Sequence, residues 1–340
     1  MLVAYLIRST YALLATIALA FELVPWTREA FVKYGKTRSK VDNKPSNNNH
    51  NNGSVAGPAK SANSFIVALV SWFSGLTVPK HFFAQFYILG AISSLVLLLD
   101  LLHARWIHSQ LASQQRQTDK ALGYLFKYFM DWESRAEHLY YGLSGKSTAT
   151  TFVEHPHGVA IASLSLYTLH VLLRLKESLY DQPKTNARMH IGQYGVGLIF
   201  YLVTPLATII DSLYSPGLQT PSRLAVALGL LLYTYASVHQ WRCHGILFRL
   251  RSRSLKENTG YVVPTGDLFS YVSCPHFLCE ILLYVSLWMV TGFQATTLVW
   301  NIAWTAINLG ITARESHMWY KQAFGDKYPR NHRALVPYIF

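Results

Sequence analysis

The chain has 340 residues, 51% of them hydrophobic and only 14% charged, where soluble domains carry about 25% charged residues. That composition excludes an ordinary soluble globular domain, and 14% aromatics suits a chain with many membrane interfaces. The formal charge of +13 sits in short connectors between apolar runs, which argues for membrane topology rather than nucleic acid, and Cys243, Cys274 and Cys279 form neither a disulfide framework nor a zinc pattern.

Taken in order, the apolar runs predict seven membrane helices. The first covers 9–26, extended by 2–7, with Arg8 placed to snorkel. Ala18-Leu19-Ala20 resembles a cleavage site, but no Lys or Arg precedes Arg8 and further spans follow, so a retained helix is expected. Residues 27–64 form a basic loop whose Asn-, Ser- and Gly-rich part, from Asn43, is too polar to order itself. Residues 65–79 are apolar but short, as in an interfacial or re-entrant helix. Span two is 82–103. The mixed stretch 104–157 contains a candidate amphipathic helix, Ala121–Tyr141. Spans three, four and five are 158–175, 191–213 and about 224–241. Spans six and seven are 277–292 and 296–312, and a tail runs to Phe340.

Charge orients these spans. The first, third and fifth connectors and the tail are basic, whereas the fourth and sixth carry no basic residue and the bases of the second are nearly cancelled by acids. The positive-inside rule therefore puts the tail in the cytosol and the N-terminus outside. The sequon Asn52-Gly53-Ser54 then faces the cytosol and stays unglycosylated.

Ionisable residues at membrane depth are functional candidates by default. Glu22, Asp100 and Asp211 lie near helix ends, where headgroups can solvate them. His170 lies deeper, with Arg174 four residues on and on the same face. The stretch from His239 to Glu280 concentrates the rest. Pro275 can open a helix that carries His276 and Glu280 on one face of its first turn, and a helix N-terminus near arginines suits phosphate. Arg249, Arg251 and Arg253 fan out if that segment is helical and point one way if it is extended. A basic loop facing the membrane is the plainer reading of the same charges. His155, His157, His239 and His244 do not complete a ligand set, so no metal is expected. There is neither a GxGxxG nor a Walker loop.

The C-terminal run HMWYKQAFGDKYPRNHRALVPYIF (317–340) and the run PTGDLFSYVSCPHFLCE (264–280) resemble the steroid 5α-reductase family. HQWRCHGIL (239–247), YGKT (34–37), VPKHFFAQFYI (78–88) and LHVLLRLKESLY (169–180), followed by MHIGQYGVGLIFYLV, are most similar to its polyprenal reductase branch. The resemblance implies an all-α integral membrane protein: a single domain, a seven-transmembrane-helix bundle with cytosolic loops capping a cofactor site, in the endoplasmic reticulum. Residues 65–238 would supply the helices for the lipid substrate and 239–340 the NADPH-binding region. It further implies reduction of the α-unit double bond of polyprenal to dolichal, in dolichol synthesis for protein N-glycosylation. By matching positions, Gln240, His244, Arg251, His276, Glu280, His317, Tyr320, Arg330 and Arg333 would hold NADPH.

This chain also departs from the family pattern. His276 replaces the usual Asn, Gln240 and His244 replace the Asn and Asp of the steroid enzymes, and Val171 stands at their catalytic Tyr. His170 is accordingly the first candidate for the proton donor, followed by Tyr194 and His190. A steroid 3-oxo-4-ene reductase, a prenylcysteine methyltransferase-like enzyme and a non-enzymatic lipid-binding membrane protein are the alternatives. Neither a metal nor a nucleic-acid partner is expected, and the oligomeric state is left open.

Overall fold

The computed structural model describes residues 2–23, 75–113, 156–214, 219–337 and 339. The expected loop of 27–64, most of the 65–79 segment and the amphipathic helix of 121–141 lie outside the described residues. Seven α-helices occur among those described: α1 Leu2–Leu23, α2 Phe83–Ser113, α3 Pro156–Lys176, α4 Ile191–Tyr214, α5 Arg223–Lys256, α6 Pro275–Val290 and α7 Thr296–Phe324. A π-helical turn, Glu177–Asp181, continues α3. Four segments are long and apolar enough to cross a membrane: Leu2–Ala20, Lys80–Ile107, Gly158–Asp181 and Ile191–Tyr214.

Two features differ from the sequence expectation. The fold is not purely helical, because β1 (Thr77–Pro79) pairs antiparallel with β2 (Arg188–His190), Thr77 opposite His190. Pro79 disfavours helix for the residue before it, and Thr77 and Val78 are β-branched, so this segment is extended before α2 can start. Arg188 fastens the pair by donating to the Thr77 hydroxyl (2.7 Å) and carbonyl (2.6 Å). The second difference is α5, expected to end near 241. It runs on to Lys256, because Leu, Arg, Ser and Lys tolerate helix well and no Pro or Gly interrupts 246–256. At about 1.5 Å per residue this helix is about 51 Å long, against about 30 Å of bilayer hydrocarbon.

The main core lies where α2, α3, α4, α5 and α6 meet, around Leu164, Tyr167, Val171, Tyr201, Leu283 and Tyr284. Gly229 lets α5 approach α6: a Cβ there would meet the Ser286 carbonyl and the Val290 nitrogen at 3.0 Å. Inside α4, Pro205 has no N–H to offer the carbonyl of Tyr201, and the Ser93 hydroxyl of α2 donates to that oxygen instead (3.4 Å).

Buried polar ties bind α1 into the bundle. Arg8 donates to Asp211 Oδ1 (2.5 Å) and to the Thr297 hydroxyl (2.9 Å). Asp211 also accepts from the Thr297 backbone N–H (2.5 Å), which caps an α7 N-terminus that has no side-chain cap from Ala295. One turn further along, Asn301 donates to the hydroxyls of Tyr11 (2.9 Å) and Thr204 (3.2 Å). Asp211 is 2% exposed, so it is a built part of the interior and not a solvated helix end. Glu22 meets Arg314 of α7 at 2.6 Å.

Candidate active site

The candidate site lies where the last turns of α3, the middle of α5 and the first turns of α6 meet. Its centre is the carboxylate of Glu280, in the second turn of α6. The His170 ring nitrogen Nε2 lies 3.3 Å from Oε1, the Tyr284 hydroxyl donates to Oε1 (3.2 Å), and the Gln240 amide donates to Oε2 (2.5 Å). Helices α3, α5 and α6 therefore converge on one anion, each through a single side chain four or more residues from its neighbours in the cluster. The side chains of His170 and Glu280 are 5% and 15% exposed, so the pair is nearly dry and Coulomb attraction between them is weakly screened.

A second cluster stands one turn nearer the helix ends. Arg174 ion-pairs with Glu177 and also reaches Nδ1 of His244, whose Nδ1 is 3.1 Å from Glu177 Oε2. The His244 and His276 rings are 5.3 Å apart. On α3, Arg174 follows His170 by four residues and therefore shares its face. One stripe of α3 thus serves both clusters.

The Pro-Thr-Gly-Asp turn folds back onto α5. Gly266 has φ +92°, which only glycine adopts freely, and Asp267 follows at φ +49°. Asp267 accepts from the Leu268 N–H (2.8 Å) and lies 2.6 Å from His239 Nδ1. Burial works against its charge, but these bonds together with the charges of His239 and Arg242 outweigh it and hold the carboxyl below its ordinary value.

The tail closes the same end. Val272 forms a parallel bridge with Arg333, and the Ser273 and Cys274 N–H groups donate to the carbonyls of Arg333 (2.9 Å) and Ala334 (3.1 Å). The Ser273 hydroxyl donates to the Arg333 carbonyl (3.0 Å) and lies 2.6 Å from both His317 Nδ1 and the Tyr328 hydroxyl. One hydroxyl donates once and accepts twice, so His317 carries a proton on Nδ1 and donates here. Tyr320 stacks on Tyr328, with centroids 5.5 Å apart and planes 4° apart.

Burial, with Lys321, His332 and Arg333 nearby, lowers the His317 pKa to about 4. An unfolded histidine titrates near 6.5, so folding favours the neutral ring. Its stabilisation is complete above about 6.5 and is lost as the pH falls toward about 4. Limited proteolysis of the tail across that window is expected to accelerate with acidification, and His317→Gln is expected to flatten the profile. A tail whose protection does not change between those pH values would remove this role.

The sequence-expected residues are distributed unevenly. His170, Gln240, His244, His276 and Glu280 come together. Arg251 lies one face-sharing step beyond His244, its guanidinium 5.1 Å from the Tyr261 ring centroid, with no carboxylate partner among the described residues. His317 and Tyr320 belong to the tail closure. Arg330 is on the surface, paired with Asp326 at 3.1 Å, and the exposed Arg333 contributes backbone bonds. His190 Nδ1 accepts from the Gly192 N–H (2.9 Å), an arrangement that caps the start of α4. Tyr194 bonds to Gln85 and packs on Phe82 and Phe86, apart from the Glu280 cluster. Sequence reasoning did not select Glu177, Asp267, Ser273, Tyr284 or Tyr328. Helical spacing was the available signal for two of them, since Glu177 follows Arg174 by three and Tyr284 follows Glu280 by four.

Residues 208–340 match the family described as 3-oxo-5-alpha-steroid 4-dehydrogenase. The chain is 32% identical over 303 residues to polyprenal reductase 2 of Arabidopsis thaliana, covering 78% of this chain and 83% of that one. It is 31% identical over 278 residues to polyprenal reductase of Xenopus tropicalis, with 79% and 82% covered. It is 29% identical over 301 residues to polyprenal reductase 1 of Oryza sativa subsp. indica, with 77% and 80% covered.

Proposed function

The chain belongs to the polyprenal reductase branch of the steroid 5α-reductase family, and from that premise we propose that it reduces the α-unit double bond of a polyprenal to dolichal with NADPH. All seven helices cross the endoplasmic-reticulum membrane in this reading, with the C-terminus and the active-site end in the cytosol. The observation that carries the chemistry is the convergence of His170, Gln240 and Tyr284 on Glu280.

The residues fit a phosphate-bearing cofactor. Arg251 has no carboxylate partner among the described residues, whereas Arg174 has one, and an unpaired guanidinium suits a phosphate beside it. The α6 N-terminus adds the positive end of the helix dipole. Bound NADPH supplies the hydride that the β-carbon of the enal accepts. Arg251 holds phosphate, and Gln240, His244 and His276 orient the rest of the cofactor. Glu280 holds His170 against the site, and His170 gives the proton that the α-carbon takes up. A hydrogen-bond donor beside the aldehyde oxygen lowers the barrier while negative charge builds there. The closed helix packing around Tyr167 and Tyr284 keeps water out.

Detergent-purified protein incubated with polyprenal and NADPH is expected to yield dolichal. Arg251→Ala is expected to raise the KM for NADPH by about tenfold, the value of one charge-assisted hydrogen bond, and to leave the KM for polyprenal nearly unchanged. Equal effects on both would take Arg251 out of the cofactor site.

A further inference from the structure

Helix α5 has a second face. At 3.6 residues per turn, Gln240, His244 and Arg251 fall within about 40° of one another around the helix. Trp241, Gly245, Arg249, Ser252, Arg253 and Lys256 occupy about 100° to 220° from Gln240 on the same count. These residues line an open groove of about 990 Å³, with Lys176 and Tyr180 from the end of α3 on its other wall. Because the segment is helical, the three arginines part company: Arg251 goes to the site, and Arg249 and Arg253 go to the groove.

The groove has unbalanced positive charge. Lys176, Arg249 and Lys256 have no carboxylate partner among the described residues, and Asp181 is the one groove acid without a partner there. Glu177 is held by Arg174 and His244, Asp267 by His239, and Glu257 by Arg253. The Arg249 guanidinium lies back over bare Gly245, where a Cβ would stand 3.3 Å from its nitrogen. Ser252 and Lys256 follow further along the same helix and Lys176 stands on another, so an anionic headgroup lying along the groove would meet them in turn.

The same face of α5 is apolar along its earlier turns. Leu224, Leu228, Leu231, Tyr235 and Val238 are all exposed, and they lead straight to Trp241, which is 59% exposed. Spaced three or four apart, they form one continuous stripe. From Leu224 to Trp241 the stripe is about 26 Å long at 1.5 Å per residue, close to the hydrocarbon thickness. Apolar over that length and cationic beyond an interfacial Trp, this surface complements a molecule with acyl chains and a negative headgroup.

We propose that this groove is a binding site for an anionic phospholipid, with its headgroup along Arg249, Ser252, Lys256 and Lys176 and its chains along the leucine stripe of α5. The proposal rests on α5 crossing the bilayer and does not require turnover. In the proposed reading the cofactor occupies the opposite face of the helix, so the two sites are separate and share only the walls formed by Glu177 and Asp267.

The test uses full-length protein in phosphatidylcholine vesicles that contain chain-brominated phosphatidylserine or, in parallel, chain-brominated phosphatidylcholine. Bromine quenches tryptophan on contact. The serine lipid is expected to quench more than the choline lipid at equal fraction, and Trp241→Phe is expected to remove that excess. The double variant Arg249→Gln with Lys256→Gln is expected to weaken the preference about five-fold per charge removed, whereas Arg249→Lys keeps it, which separates charge loss from misfolding. Equal quenching by the two lipids, or an excess that survives the double variant, would overturn the proposal. So would a double variant that keeps its lipid preference while its NADPH KM rises, because the groove would then belong to the cofactor. Dolichal formation by a variant that has lost the preference supports the separation of the two sites.

Discussion

Replacing Glu280 by alanine is expected to lower kcat/KM for polyprenal reduction by about 10²-fold, the usual effect of misplacing a reacting group by an ångström. Three side chains from three helices end on this carboxylate: His170 at 3.3 Å, Gln240 at 2.5 Å and Tyr284 at 3.2 Å. Its removal leaves them without a shared acceptor and lets His170 turn away. Each buried polar group left unpaired costs about 1–3 kcal/mol, so some stability is lost as well. Glu280→Gln keeps the volume and one acceptor but removes the charge that faces His170, and its loss of activity is expected to be smaller. Single-turnover NADPH oxidation at saturating cofactor separates the chemical step from binding. An alanine variant with an unchanged single-turnover rate would remove the cluster from catalysis.

The largest stability effect is expected at Asp211. Asp211→Ala strands the Arg8 charge and uncaps α7, and breaking a buried pair from one side costs about 3–5 kcal/mol. The Arg8 side chain is 28% exposed against 1% for that of Asp211, so it can partly escape toward the headgroups, which moves the expectation to the lower end. Asp211→Asn retains an acceptor for the Thr297 N–H and is expected to cost less. The informative variant is the double change Arg8→Leu with Asp211→Leu. An apolar pair has no charge to desolvate, so it is expected to recover most of what Asp211→Ala loses. Thermal unfolding in detergent measures all three, and a double variant no more stable than Asp211→Ala would show that the cap on Thr297, and not the ion pair, is what matters.

The segments legible in the sequence were those whose signal is apolar length. Leu2–Leu23, Pro156–Lys176, Ile191–Tyr214 and Pro275–Val290 lie within a few residues of where the apolar runs put them. Helix α5 was legible only to its midpoint, because hydropathy stops at Trp241 while helix propensity continues through Arg, Leu and Ser. The β1–β2 pair joins residues about 111 apart, and no local pattern announces such a partner. The site divides in the same way. His276 and Glu280 were readable as neighbours on a helix, but what Glu280 accepts from α3 and α5 depends on packing. Asp211 stood one step from a helix end and so resembled a solvated terminus. Its burial depends on Arg8, some 203 residues away.

That contact across the chain bears on how the protein is made. Helix α1 is synthesised first, yet it packs against α7, which is synthesised last: Tyr11 meets Asn301, Glu22 meets Arg314, and Arg8 bonds to Thr297 across 289 positions. A helix inserted early can therefore pair Arg8 with Asp211 and Tyr11 with Thr204 once α4 is made, but its bonds to Thr297 and Asn301 wait until the ribosome has nearly finished. The bundle closes as a ring, beginning joined to end. A chain cut in the connector between α1 and α2, with both pieces co-expressed, should then reassemble through α7, and a chain that stops before α7 should leave α1 to the cell's quality-control proteases.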